Sequence, residues 1–469
     1  MLRCPHAVAL DLHEDRSKRR PITEIEEFVR KRGRDWEDEF VAELDGYVEP
    51  EYERGEWGVA AAQTEAFLRE GVAGVSQGVL VGENRLGIPD LLRREPGECE
   101  FGDFHYVVGD IKSSGRPRSD QLLQVAFYSG MLGTLQGRVP EYGYLILKDG
   151  REERFALRDY QAAFEEVEER VLALAADSSG SEAFFGPSCR KCHWSELCVP
   201  QMEAASDVSL VPGMTRGLRT TLKRIGVEDV DALRSLAVES AARRTHLEPA
   251  LLRRLKMSAE ARKSGQPIRQ QPGSQAEFGE VAVLHHLYDA YSERMLFFGV
   301  QFPATEDGEF FGVCPSDRDA ERDDFVRVVE HVPENMRLLH YGEALPRWFA
   351  DCRVAEDRVG LEKRIESRFV DLARRLRGAA IYPGPVFGMA QHVEYALGLD
   401  PHREGEADAA AMWGQGDEGE GWLMNKGRSD LADLCALAAF VRESQSREAK
   451  PPESEATESE SRTRGEGST

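Results

Sequence analysis

Three short stretches, taken together, restrict this chain more than anything else in it: Gly87-Ile88-Pro89-Asp90, Gly109-Asp110-Ile111-Lys112-Ser113-Ser114 and Gln124-Val125-Ala126-Phe127-Tyr128. Residues 104–112 are aromatic and β-branched and end in a Ser-Ser-Gly-Arg-Pro turn, which predicts a strand. Alternate strand residues share a face, so Asp110 and Lys112 point the same way, about 6–7 Å apart along the chain. Asp90 follows an apolar run behind Gly87 and Pro89, where a strand tip is expected. Gln124 and Tyr128 are four apart and share one face of a predicted helix. A hard divalent cation such as Mg²⁺ or Mn²⁺ takes oxygen ligands, which Asp90 and Asp110 supply. Such an ion polarises a phosphoryl group and orients the attacking water. Lys112 suits the developing charge, and Gln124 and Tyr128 suit the phosphate backbone through neutral hydrogen bonds. Each motif alone is ordinary: a solvated strand edge, an amphipathic helix face, a turn. Their order and spacing carry the argument toward metal-dependent phosphodiester hydrolysis.

That order resembles the PD-(D/E)xK nuclease superfamily, and the Gln-x-x-x-Tyr element resembles its RecB-like branch. The resemblance implies a restriction-endonuclease-like α/β core, a mixed sheet flanked by helices with the metal site at its strand ends. It implies Asp90, Asp110, Lys112, Gln124 and Tyr128 as the catalytic set. It also implies a helical acid as a further metal ligand beside Asp90 and Asp110. Glu37 is the nearest match, with Trp36 where the family often carries His.

At 469 residues the chain has room for two to four domains. It is 41% hydrophobic, yet no apolar run approaches the roughly 18–20 residues of a membrane span. The opening Met-Leu-Arg-Cys-Pro-His has no signal-peptide core, so a cytoplasmic protein without membrane contact is expected. The net charge of −24 argues against a general electrostatic nucleic-acid binder and confines DNA contact to a local groove. No Gly-x-x-x-x-Gly-Lys-Ser/Thr occurs, so any helicase motor is a separate partner.

The eight Cys are unevenly placed. Cys189, Cys192 and Cys198 form a C-x2-C-x5-C array, a metal signal that needs a fourth ligand, for which Cys4 and His193 are the candidates. Spacing does not separate Zn²⁺ from an iron–sulfur centre. The iron–sulfur branch of RecB-like nucleases carries one Cys near the N-terminus and three after the core. The resemblance therefore implies a [4Fe–4S] cluster on Cys4, Cys189, Cys192 and Cys198 with a structural role. Cys99, Cys314, Cys352 and Cys435 are scattered and read as buried or inert thiols.

Periodicity predicts helices over 22–45, 64–70, 121–136 and 158–176, strands over 72–80 and near Gly87, and a hairpin across Lys148-Asp149-Gly150. This nuclease domain spans 1–203. Residues 204–276 read as short helices around Gly turns, either a helix-hairpin-helix-like element or a helical linker with solvated charges, ending in a Gly/Pro/Ser-rich connector. A second α/β pattern fills 277–443, with strands near 281–288, 296–302 and 308–313 and helices near 323–332, 361–377 and 386–397. It resembles the ribonuclease H-like exonuclease domain joined to such nucleases. That domain carries an Asp-x-Glu pair on its first strand, but here the strand reads Val-Ala-Val-Leu-His-His-Leu-Tyr-Asp, and Asp371 and Asp430 remain without it. A degenerate, inactive module is expected. Residues 444–469 are acidic and lack aromatics, so a disordered tail is expected. Three readings follow: a DNA nuclease acting on single strands or ends, a non-catalytic nucleic-acid-binding scaffold built on decayed nuclease folds, or a Zn-stabilised adaptor.

Overall fold

The strand carrying Asp110 is the centre of the first sheet. In the computed structural model, which describes residues 4–82, 84–270, 279–289, 294–305, 308–351, 359–399 and 416–446, the chain is mixed α/β. It divides into two compact units, Met1–Leu252 with Asp289–Arg294, and Arg253–Tyr288 with Met295–Thr469.

The first unit opens with α1 (Pro5–His13) and α2 (Glu24–Ala42). Thr23 and Glu26 form a capping box that starts α2 two residues inside the predicted helix. Then come β1 (Tyr47–Val48), α3 (Trp57–Glu70), β2 (Gly74–Ser76), β3 (Leu80–Gly82), β4 (Arg85–Gly87), β5 (Leu91–Cys99) and β6 (Gly102–Ile111). α4 (Ser119–Gln136), β7 (Tyr142–Ile146), β8 (Glu152–Ala156) and α5 (Gln161–Ala176) complete the core. The strand expected over 72–80 is two short strands. Between them Gln77 takes a left-handed backbone (φ 49°), which breaks the pleat.

The six-stranded sheet runs β1-β2-β5-β6-β7-β8, and β3 pairs with β4 separately. β5 pairs antiparallel and β7 parallel with β6, so β6 is internal. Its residues 105–111 are buried, as expected when both faces are covered. Alternation sorts the faces: Leu92, Tyr106 and Val108 pack with Leu68, Val125 and Leu132 from α3 and α4. Leu91, Val107 and Ile111 pack with Trp36 and Phe40 from α2 and with Leu44 just after it. Gly109 is required on β6, since a Cβ there would stand 2.2 Å from the Tyr144 ring.

Further along, α6 (Ser195–Ala204) and α7 (Arg216–Lys223) belong to the same unit, which runs on through short helices to Leu252. Gly226 (φ 85°) turns the chain between α7 and the helix Val230–Arg234.

In the second unit, β9 (Ile268–Arg269) pairs with a strand at Ala380–Ile381. The main sheet comprises β10 (Val281–Asp289), β11 (Arg294–Phe302), β12 (Glu309–Val313), β13 (Arg337–His340) and β14 (Phe369–Asp371), in the order β12-β11-β10-β13-β14. β13 is parallel to both β10 and β14, whereas β12 is antiparallel to β11. Val281 and Val283 face the helices Leu372–Ala379 and Asp417–Ser446, and Ala282 and Leu284 face Phe325, Leu345 and Phe349. The helix expected over 361–377 is corrected. Phe369-Val370-Asp371 joins β13 as a strand, and Asp371 caps a new helix by accepting the Ala373 N–H. The helix expected over 386–397 is likewise only Met389–His392 with a π-turn at Val393–Leu397, because the Pro- and Gly-rich run before Gly388 cannot be helical. The tail beyond 446 and residues 271–276 of the connector lie outside the described residues.

Gln136 ties α4 to β6. Fully buried, it accepts the Tyr106 N–H at 2.9 Å and donates to the Tyr106 and Arg138 carbonyls. Gln136→Leu should cost about 1–3 kcal/mol by orphaning these groups. Native-state hydrogen exchange checks this at the Tyr106 amide, which should exchange faster; an unchanged rate would refute it.

Candidate functional site

Asp90 precedes β5 and is gripped on three sides. Its carbonyl accepts the Gln77 N–H at 3.0 Å. Oδ1 accepts Gln77 Nε2 at 3.3 Å, and Oδ2 accepts the Ile111 N–H at 2.7 Å. Asp110 is 1% exposed at the end of β6. Lys112 continues that edge, donating its N–H to the Ile146 carbonyl at 2.8 Å. Its Nζ stands 2.5 Å from Asp110 Oδ2 and 3.8 Å from Asp90 Oδ2, so the expected shared face is present. Gln77 was not a candidate from sequence. A glutamine in left-handed backbone leaves no compositional signal.

Burial first, then the facing Asp90 carboxylate, push Asp110 well above the usual carboxylate range, against the pull of Lys112. Glu37 comes to the same place. Burial and then the Asp90 charge push it up to about 7, while Lys112 opposes. Trp36 packs against β6 and β7. On α4, Gln124 Nε2 donates to Tyr128 Oη at 2.8 Å. Burial chiefly raises the Tyr128 phenol, with Asp110 and Asp90 adding to it, so it faces the same charges. A Cβ at Gly87 would stand 2.8 Å from the Tyr128 ring, which explains that glycine. The structure thus brings Glu37, Asp90, Asp110, Lys112, Gln124 and Tyr128 together.

The residues fit a divalent cation. Three carboxylates face one ammonium in a buried setting, and Asp110 Oδ1 has no hydrogen-bond partner among the described residues. Oxygen donors in negative excess are what a hard cation binds.

The four predicted cysteines also converge. Cys4, Cys189, Cys192 and Cys198 line one cavity with Ala7, Phe184 and Trp194. His193 does not line it; its Nε2 lies 2.9 Å from Asp11 Oδ1 instead. Trp194 Nε1 also donates to Asp11 Oδ1, at 2.8 Å, and Arg19 pairs with Asp11. Burial first, then the neighbouring thiols, raise Cys189, Cys192 and Cys198, the last to about 11. Among the described residues no group of three or more His, Cys, Asp or Glu is closed to ion-binding spacing, so the fit rests on the donor set and its shared cavity. All four donors are sulfur, the set that suits a thiolate-bound centre. Cys99 and Cys314 are half-buried, Cys435 is buried in the second core, and Cys352 lies outside the described residues.

In the second unit the remaining acids are already compensated. Asp430 pairs with Lys426 Nζ at 2.5 Å and His285 Nε2 at 3.0 Å. Burial works to raise it, but His285 and Lys426 prevail and hold it below the usual range. Asp371 spends Oδ1 on the N–H groups of Gly342 and Ala373. Burial, then His285 and His340, press the His286 imidazole down to about 3, so it is neutral.

Compared with known proteins, the chain matches no family model, and no curated protein matches it. No helix among the described residues is long and apolar enough to cross a membrane.

Glu37, raised from 4.5 to about 7, prefers its proton in the folded state, so folded stability falls as pH rises through that window. Mg²⁺ or Mn²⁺ should therefore raise Tm more at pH 8 than at pH 5, and Glu37→Gln should shrink the difference. An equal shift at both pH values in thermal denaturation would refute this. Cys192→Ser should loosen the packing of residues 4–20 on 174–198. Limited proteolysis should then cut the first unit faster, with the second unit unchanged.

Proposed function

We propose that the first unit is a metal-dependent nuclease of the RecB-like PD-(D/E)xK kind, hydrolysing DNA phosphodiester bonds in single strands or at ends. The observation that carries this reading is the meeting of Glu37, Asp90 and Asp110 around a single lysine at the edge of a mixed sheet. These three acids would hold Mg²⁺ or Mn²⁺, which would supply Lewis-acid stabilisation of the phosphoryl charge. Burial works to lower Lys112, but Asp110 and Asp90 outweigh it and hold the ammonium above the usual lysine range. Lys112 is therefore a cationic donor for a phosphoryl oxygen or for the attacking water, not a base. Because Gln124 donates to Tyr128 Oη, the Tyr128 proton is free to donate outward to a phosphate oxygen.

A [4Fe–4S] cluster on Cys4, Cys189, Cys192 and Cys198 fits the same reading, joining the first residues of the unit to those after α5. Its role is structural. We read the second unit as ribonuclease H-like: counted within its main sheet, the strands run 3-2-1-4-5, with the second and third antiparallel. The ion pairs of Asp430 and the capping role of Asp371 favour a module without its own metal chemistry.

Asp110→Ala should lower Mg²⁺-dependent cleavage of end-labelled single-stranded DNA about a thousandfold or more, with the fold retained. Asp430→Ala and Asp371→Ala should leave it within a few-fold. Unchanged turnover by Asp110→Ala would reject the site, and loss of cleavage on Asp430→Ala without unfolding would reject the assignment of the second unit.

A further inference from the structure

A cleft formed by Glu49, Pro50, Glu51, Tyr52, Arg54 and Trp57 has no part in the chemistry above. The sheet register fixes where it lies. β1 runs parallel to β2, with Val48 opposite Val75, and β2 runs antiparallel to β5, with Ser76 opposite Leu91. Glu49, the residue after β1, is therefore level with Ser76. The next residue, Gln77, donates its N–H to the Asp90 carbonyl. Strands lie about 4.8 Å apart, so the cleft begins two strand spacings, about 10 Å, from Asp90 along the edge that carries Asp110 and Lys112.

The loop is held in shape. Gln63 on α3 clamps Glu51 by accepting its N–H and donating to its carbonyl, each at 2.8 Å. The Glu53 N–H donates to Glu56 Oε2, and the Glu56 N–H to the Glu53 carbonyl. Between these pins the half-buried Tyr52 and Trp57 rings stand 5.7 Å apart at 58°, one wall and one floor of a slot. Single surface aromatics need no explanation, but two fixed in one cleft beside an acidic metal site do.

The charges select the occupant. Glu49 and Glu51 on the rim repel a phosphate, whereas a carboxylate accepts from the exocyclic amino group of a neutral base. Aromatic faces stack any unpaired base, and Arg54 on the exposed rim can meet the phosphate beyond it. We propose that this cleft takes an unpaired base of the substrate strand, stacked on the Trp57 ring with Tyr52 against its edge, next to the scissile phosphate. The proposal rests on the nuclease reading and narrows it to strands whose bases are free of a duplex.

The test is binding of short labelled single-stranded oligodeoxynucleotides, intact or carrying abasic positions, to the full chain with Ca²⁺ in place of Mg²⁺. Trp57→Ala should weaken the intact strand about tenfold and leave the abasic strand unchanged, with Trp57→Phe restoring affinity. Equal loss for both strands, no loss, or no single-strand binding by the wild type would overturn the proposal. If circular dichroism shows Trp57→Ala unfolded, Tyr52→Ala is read by the same criteria. Cleavage of the same strands in Mg²⁺ is followed in parallel. Base-dependent binding without wild-type cleavage would sink the nuclease reading and leave the stacking slot standing; cleavage without base-dependent binding would do the reverse.

Discussion

One carboxylate oxygen holds the first unit's functional edge together. Asp90 Oδ2 accepts the Ile111 N–H at 2.7 Å and lies 3.8 Å from Lys112 Nζ. That single acceptor joins a loop before β5 to the end of β6, two segments that the β5–β6 hairpin brings side by side. A charge-assisted bond of this kind is roughly twice as strong as a neutral one, and burial keeps water from competing for it. The covering layers serve this arrangement. α2 closes one face of the sheet with Trp36 and Phe40 and brings Glu37 to the edge, while α4 closes the other and brings Gln124 and Tyr128. The acids are thus dried by the same packing that stabilises the sheet.

The two units treat their acids in opposite ways. In the first, carboxylates outnumber the available cation, and burial turns that surplus into strongly raised protonation. In the second, Asp430 has one ammonium and one imidazole to itself, and Asp371 is spent on backbone N–H groups. Removing one partner of a buried pair leaves an uncompensated charge, so the second arrangement is fixed as structure. In the first, three carboxylates share one ammonium. The contrast is one of local charge balance and does not depend on how similar the two sheets are.

Much of this was legible in the sequence because the relevant signals are local. The strand at Gly102–Ile111, the helix at Ser119–Gln136 and the shared face of Asp110 and Lys112 follow from periods of 2 and 3.6 within single elements. Trp36 and Phe40, four apart, mark the buried face of α2, and Glu37 borders it. What was hidden depends on distant partners. Phe369-Val370-Asp371 reads as part of a helix until β13 is beside it, since three residues carry too little propensity to decide. Gln77 became an Asp90 partner through a backbone conformation that its side chain does not announce. Cys4 lines the cavity and His193 does not, because the Asp11 carboxylate engages His193 and Trp194, a distant partner that local spacing does not announce.

The seam between the chain's first residues and those after α5 also sets an order of events. His13 Nε2 meets the Leu174 carbonyl at 2.7 Å, the Arg20 N–H meets the His193 carbonyl at 2.8 Å, and Cys4 faces three cysteines ending at Cys198. On a ribosome adding about 5–20 residues per second, the helix Pro5–His13 waits roughly 10–40 s for the surface it packs on. This early segment is therefore among the last to settle. Any sulfur-bound centre that needs all four thiols is assembled only after the whole six-stranded sheet has been made.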